Sequence, residues 1–207
     1  MTLQIQPTML LHILLLSTLP AFVDSIVNQE LHHDSIEAQQ PLLIPYRAEI
    51  ERIADSFALP PSLVAAVIQE ESRFAPWAAR TEPHYKRKAI VQRSAREWSK
   101  RWHGSPSYET ELDDRARSLG LMQVMGQLAR EQGFAPRYLS EMHLPQHSLV
   151  HGAKHLRMLL DRYRGDTLSA ISAYNQGNNR KRGETFANAR YVYRVCAAWK
   201  VYLRWLR

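Results

Sequence analysis

Cysteine is almost missing from this chain of 207 residues. The single one, Cys196, excludes an intramolecular disulfide framework and any cysteine-rich zinc site, and leaves the redox compartment open. Glycine is scarce as well, 8 residues against 11 prolines, which excludes a collagenous chain. No apolar run reaches the roughly 20 residues that span a bilayer untilted. No stretch alternates apolar and polar residues long enough to mark a sustained strand, and no internal repeat is present. Residues 1–45 contain neither Lys nor Arg; their charges are Asp24, Glu30, Asp34 and Glu37.

What is present is a folded composition, 45% hydrophobic and 23% charged, at a length that suits one domain of roughly 100 to 200 residues with an appendage. The net charge of +7 hides an uneven distribution. All 27 basic residues lie from residue 46 onward, against 16 acidic ones there, and the excess lies in two blocks, 80–101 and 179–207, while 46–79 is slightly acidic. Such a field concentrates polyanions and speaks to partners rather than to fold.

Met9 to Val23 is an apolar run of signal-peptide length, with Pro20 and Ala21 ahead of a cleavage site around residues 21–25. Its flank lacks the usual Lys or Arg, and a buried amino-terminal core helix fits the same leucine-rich stretch. We expect residues 1–25 to be a signal peptide or membrane anchor, 26–45 a polar linker, and 46–207 the functional domain, exported to the periplasm or cell envelope or carried on a virion.

In that domain the period of 3.6 dominates, so a mostly α fold is expected. Ile50, Ile53, Ala54 and Phe57 form one stripe, stopped by Leu59-Pro60-Pro61. Leu149, Ala153, Leu156, Leu160 and Tyr163 form another, with Gly165 as its stop. Asp166 is an N-cap for a short helix that ends at Gly177. Arg190 to Arg207 reads as the longest helix, with an apolar side of Tyr191, Val195, Ala198, Trp199, Tyr202 and Leu206 and a basic side. Residues 80–118 read as a long polar excursion with one short helix near Ala89 to Trp102.

The helix PSLVAAVIQEESRF carries the most informative residue. If Leu63, Val64, Val67 and Ile68 mark its buried face, Glu71 lies within about 10° of that direction and Glu70 roughly 90° away. A carboxylate turned to apolar surroundings loses solvation, its pKa rises, and it becomes a general acid at neutral pH. Solvation of both glutamates at a helix end, or pairing of Glu71 with a buried arginine, is the competing reading.

Glu71-Ser72-Arg73-Phe74 is followed in order by Gly120-Leu121-Met122-Gln123, by Gly152 ahead of His155-Leu156, by Ala173-Tyr174-Asn175-Gln176-Gly177, and by Tyr191-Val192. This ordered set resembles the lytic transglycosylase (SLT) domain of the lysozyme-like superfamily, over residues 46–205. The resemblance implies a goose-type, SLT-like helical domain with a catalytic cleft, acting on peptidoglycan glycan strands without a cofactor. It implies that Glu71 is the catalytic acid and base, that Ser72 supports the sugar or the glutamate, that Met122 and Gln123 line the cleft, that Tyr174 and Asn175 border the glutamate, and that Tyr191 is a cleft-wall aromatic. Gly120 would let backbone approach ligand. About 48 residues separate Glu71 from Gly120, more than in compact members, and stretches such as Arg-Thr-Glu-Pro-His-Tyr resemble a phage and mobile-element subgroup.

The implied reaction uses one glutamate. The acetamido group of N-acetylmuramic acid assists, the sugar's own C6 hydroxyl attacks the anomeric carbon, and a 1,6-anhydro product forms. A hydrolase would need a second carboxylate holding a water. Glu82 is the best spare one and is counted with the substrate-binding residues; Asp113 and Asp114 follow. His147, His151 and His155 recur every four residues, and we expect a half-exposed polar face there rather than a metal site. The blocks Lys86-Arg87-Lys88 and Arg180-Lys181-Arg182, with Trp98, Trp102 and Tyr174, admit a nucleic-acid or inactive wall-binding module, but that leaves Glu71 and the two motifs unexplained, so nucleic acid is not expected as partner. The N-terminal segment would add membrane association. Because the two basic blocks would hold an anionic wall polymer, retention on purified peptidoglycan should fall as salt rises from about 0.05 to about 0.5 M; retention unchanged across that titration would refute it.

Overall fold

The computed structural model describes residues 43–206, so the expected leader, most of the linker and Arg207 lie outside the described residues. The chain divides into two compact units, one ending at Glu70 and resuming at Ala153, the other Glu71–Gly152. Among the described residues no helix is long and apolar enough to cross a membrane.

In the first unit, helix α1 (Arg47–Ser56) buries Ile50, Ile53 and Ala54 and carries Glu49 in its first turn, where the helix dipole favours an acid. It stops as expected: Leu59 N bonds Ala54 O at 2.9 Å, with Ala58 left-handed at φ 49°. Helix α2 (Pro61–Ser72) starts on its prolines. Every residue from Pro61 to Ile68 is buried, Ala65 and Ala66 included, so Leu63, Val64, Val67 and Ile68 are not a one-sided face. A helix apolar all round is a core helix, and its wheel direction does not by itself choose between Glu70 and Glu71.

The same unit takes in the C-terminal part of helix α7 (Pro145–Arg162), helix α8 (Thr167–Gln176), the hairpin β4 (Lys181–Arg182) with β5 (Thr185–Phe186), and helix α9 (Ala189–Tyr202). Among the described residues helix α7, at 18 residues, is the longest; the last helix has 14 and ends at Tyr202. Beyond Tyr202 the chain closes in tight turns, with Leu206 N on Tyr202 O at 2.9 Å, and Leu206 is wholly buried. Gly165, at φ 85°, bonds Leu160 O and ends α7. Asp166 caps α8 by accepting from Ser169 N at 3.1 Å, and Gly177 at φ 80° ends it. Inside, Trp199 Nε1 donates to Ser62 Oγ at 3.1 Å, tying α9 to α2. Burial pushes the Cys196 thiol up to about 12, so it stays protonated as a small apolar residue.

The second unit holds the strands that the sequence pattern hid. Strands β1 (Ala79–Thr81), β2 (Arg117–Leu119) and β3 (Val124–Met125) form an antiparallel sheet in the order β1-β2-β3, with Arg80 opposite Ser118 and Leu119 opposite Val124. Two or three residues are too few to display an alternation of period two. Between β1 and β2 run helices α3 (Pro83–Lys86), α4 (Ala89–Arg101) and α5 (Tyr108–Arg115), so the polar excursion is ordered and its expected helix is joined by others. After β3 come α6 (Gly126–Glu131) and a 3-10 turn (Leu139–His143).

Helix α5, YETELDDR, has no apolar stripe to read. Its buried residues are Glu111 and Arg115, while Leu112 is only half-buried. The Glu111 carboxylate accepts from Arg115 Nε at 2.9 Å and from Arg130 Nε and Nη2 at 2.9 and 3.1 Å. Arg115 Nη1 continues to Gln127 Oε1 at 2.8 Å, and Arg130 Nη1 to the carbonyls of Phe134 and Pro136. The Arg130 guanidinium also lies 3.6 Å from the centre of the Trp98 ring. Removing one member of a buried ionic cluster strands its partners and costs about 3 to 5 kcal/mol. Glu111→Gln should therefore lower unfolding stability by that amount in urea titration; an unchanged midpoint would show that the cluster contributes nothing.

Candidate active site

Glu71 and Ser72 lie within the last turn of α2, which runs on past residue 70, and both are half-buried. The chain then reverses at once: Arg73 and Phe74 are both left-handed, at φ 52° and 63°. Each non-glycine residue held there costs on the order of 1 to 3 kcal/mol, and such strain gathers at working sites. Ala75 N bonds Ser72 O at 3.0 Å and Ala78 N bonds Ala75 O at 3.2 Å, so the reversal is a closed pair of turns.

The Gly120–Gln123 turn is anchored to that reversal. Gly120 N and Gln123 Nε2 both donate to Ala78 O, at 2.9 and 2.8 Å, and Gln123 Nε2 also reaches Gly120 O at 2.9 Å. Gly120 has φ 75°, and a Cβ on it would meet Met142 O at 2.3 Å and Ser148 Oγ at 2.7 Å. The close approach that this glycine permits is therefore made by the protein's own backbone and Ser148 rather than a ligand. Met122 N donates to Ser148 Oγ at 2.9 Å, and its side chain is wholly buried; a Cβ on Gly152 would meet the Met122 side chain at 2.4 Å. Met122 thus packs the turn onto α7.

Each spare carboxylate has a cation beside it. Glu82 pairs with Arg80 Nε at 2.9 Å, with His84 Nδ1 at 3.7 Å. Asp113 pairs with Lys86, and Asp114 with Arg117 at 3.2 Å. Burial raises the Asp114 carboxyl above its ordinary value, Arg117 opposing.

In the first unit, Arg194 from α9 holds Glu70 through Nε at 2.8 Å and through Nη2, and the pairing raises the guanidinium's own affinity for its proton. This ion pair fixes Glu70 to the last helix. Tyr174 is half-buried and lies against His155, ring centres 5.1 Å apart. Asn175 is exposed and its Oδ1 accepts from Asn188 Nδ2 at 3.1 Å; Tyr191 is buried in the first turn of α9. Asn188 also donates to Ser172 O and accepts from Ser172 Oγ at 2.8 Å, and Gln176 Nε2 joins Ser172 Oγ to Arg180 O. The sequence reading missed Asn188. An asparagine just before a helix was a visible signal, but this side chain spans to α8 instead of capping α9.

His147 and His151 are half-buried and hydrogen-bonded to Glu141 O and Gln132 Oε1, each at 3.0 Å, with the Phe134 ring edge-on to both. Among the described residues no group of three His, Cys, Asp or Glu is arranged for a metal. Trp98 is half-buried and donates to Arg137 O; Arg180, Lys181 and Arg182 are exposed around β4.

Residues 49–191 match the family model of the transglycosylase SLT domain. Among solved structures, an inactive mutant of the lytic transglycosylase Slt from Pseudomonas aeruginosa is similar, with a TM-score of 0.53 and 19% identity over 89% of this chain. This chain spans 28% of that chain's length, and the likeness bears on fold: the mostly helical, lysozyme-like class expected from sequence is the one found. No curated protein matches the sequence significantly.

Burial, with Arg162 adding to it, lowers His155 to about 4, and its Nδ1 is buried without a hydrogen-bond partner. A neutral folded histidine and an unfolded one near 6.5 mean that the unfolded chain binds more protons between those values. The stability from His155 is complete above about pH 6.5 and is lost as pH falls toward about 4. His155→Phe, which keeps a ring beside Tyr174, should flatten the acid limb of the stability curve measured by urea unfolding at pH 7 and pH 4.5; equal acid loss in both proteins would contradict the assignment.

Proposed function

The chain belongs to the transglycosylase SLT domain family, and on that premise we propose that it is a peptidoglycan lytic transglycosylase cleaving the β-1,4 bond between N-acetylmuramic acid and N-acetylglucosamine. The observation that carries the reading is the setting of Glu71. It stands in the last helical turn of α2, followed by two left-handed residues whose turn is hydrogen-bonded to Gly120 and Gln123, while its neighbour Glu70 is held by Arg194.

In this reading Glu71 gives its proton to the glycosidic oxygen as the C1–O bond breaks, and the acetamido carbonyl of the muramic residue supports the anomeric carbon. The Glu71 carboxylate then takes the proton of the C6 hydroxyl as O6 bonds to C1. The proton lent in the first step is recovered in the second, and no water is consumed. Ser72, Glu82, Met122, Gln123, Tyr174, Asn175 and Tyr191 are assigned to substrate binding and its support, within a catalytic domain of residues 46–207 whose segment 80–118 is an insertion. Action on wall glycan implies a location outside the cytoplasm.

Glu71→Gln in the full chain should abolish clearing of purified peptidoglycan, a loss on the order of 10² to 10⁴ for a general acid; equal clearing by variant and parent would remove Glu71 from the mechanism. Mass spectrometry of the digest separates the reactions. Products one water lighter than the hydrolytic muropeptides are expected, and products of full hydrolytic mass would instead assign a muramidase with a second carboxylate such as Glu82.

A further inference from the structure

We propose that Trp77 is a stacking platform for a sugar ring of the glycan strand, a binding subsite on the turn that follows Glu71; this rests on the glycan-cleaving function above. Trp77 is 77% exposed, and among the described residues no other tryptophan is exposed: Trp98, Trp102 and Trp205 are half-buried and Trp199 is buried. A large apolar ring in water is unremarked when it sits on a mobile surface loop. This one does not.

The backbone on both sides of Trp77 is tethered. Before it, the Pro76 carbonyl accepts from His143 Nδ1 at 2.9 Å. After it, the Ala78 carbonyl accepts from Gly120 N and from Gln123 Nε2. The same turn closes on Ser72 through Ala75 N. The indole is thus presented on backbone held by the 3-10 turn and by the Gly120–Gln123 turn, so little freedom is lost when a ligand covers it.

The ligand class follows from the ring and its place. Trp77 is six positions beyond Glu71, at most about 22 Å along even an extended chain, and the two turn hydrogen bonds shorten that path. A β-1,4-linked strand runs on from the bond being cleaved, so rings beyond the reacting pair must pass over the surface beside the acid. The face of a pyranose carries axial C–H groups and is apolar, whereas its hydroxyls and acetamido group lie at the rim. An indole matches both parts, with its π face on the C–H groups and its Nε1–H free to donate at the rim.

The test is co-sedimentation of the full chain with purified peptidoglycan in a Glu71→Gln background, which reads binding without turnover, with and without Trp77→Ala. Loss of one aromatic contact should weaken retention about three- to tenfold, with Trp77→Phe keeping most of it. Quenching of tryptophan fluorescence by an N-acetylglucosamine tetrasaccharide should diminish in Trp77→Phe, and the thermal midpoint of both variants should match the parent. In the active background Trp77→Ala should raise KM more than it lowers kcat. Equal retention and equal quenching in parent and variants would overturn the subsite. A parent that binds in a Trp77-dependent way yet releases no anhydro product would keep the subsite and discard the lytic function.

Discussion

The carbonyl of Ala78 accepts two hydrogen bonds, and the candidate chemistry depends on them. One comes from the backbone of Gly120, the other from the side chain of Gln123. Through that oxygen two motifs about 50 residues apart in sequence become one rigid corner. The strained reversal at Arg73 and Phe74 would otherwise relax into the right-handed region, taking the end of α2 with it. The turn itself is kept narrow by Gly120, which no side chain can replace against Met142 O and Ser148, and by Met122 packed on Gly152. These residues therefore support the turn that follows the end of α2.

A second constraint holds the long segment between the motifs. In most small helical units a stripe of aliphatic residues closes the core; α5 closes on a carboxylate shared by two arginines. Neither charge could be left there alone without cost, and the cluster joins α5, α6 and the Trp98 face of α4 through Glu111, Arg115, Gln127 and Arg130. Of the charged residues in 80–118, the segment that reads as a polar excursion, Glu111 and Arg115 are buried in this network, while the others are half-buried or exposed. Much of the basic charge in that block is spent internally or on aromatic rings, as with Lys88 over Tyr85.

Much of the outline was legible beforehand. The stops of α1, α7 and α8 follow from proline and glycine and the start of α8 from an aspartate cap, whose effects are local and act through φ, missing donors and a reach of three residues. The short strands were invisible because their length is below one clear alternation. The apolar period of the last helix continues to Leu206, so the sequence reads longer than the helix is; that residue reaches the interior from a turn. Among the candidate site residues, the helix-wheel direction that points to Glu71 loses its force because Pro61 to Ile68 are buried all round, and the partner of Glu70, Arg194, lies 124 positions away.

Sequence alone determined the family, through an ordered set of short motifs, and with it the mostly helical class and the identity of the candidate acid. It also determined where α1, α7 and α8 stop, since capping and proline effects need only neighbours along the chain. Tertiary structure decided which carboxylates are already paired, which glycine faces protein instead of ligand, that Asn188 binds α8 to α9, and that Trp77 is held out to solvent. Each of these depends on partners from distant segments. A side chain's solvation and electrostatic setting are properties of the space around it, and no periodicity along one element reports that space.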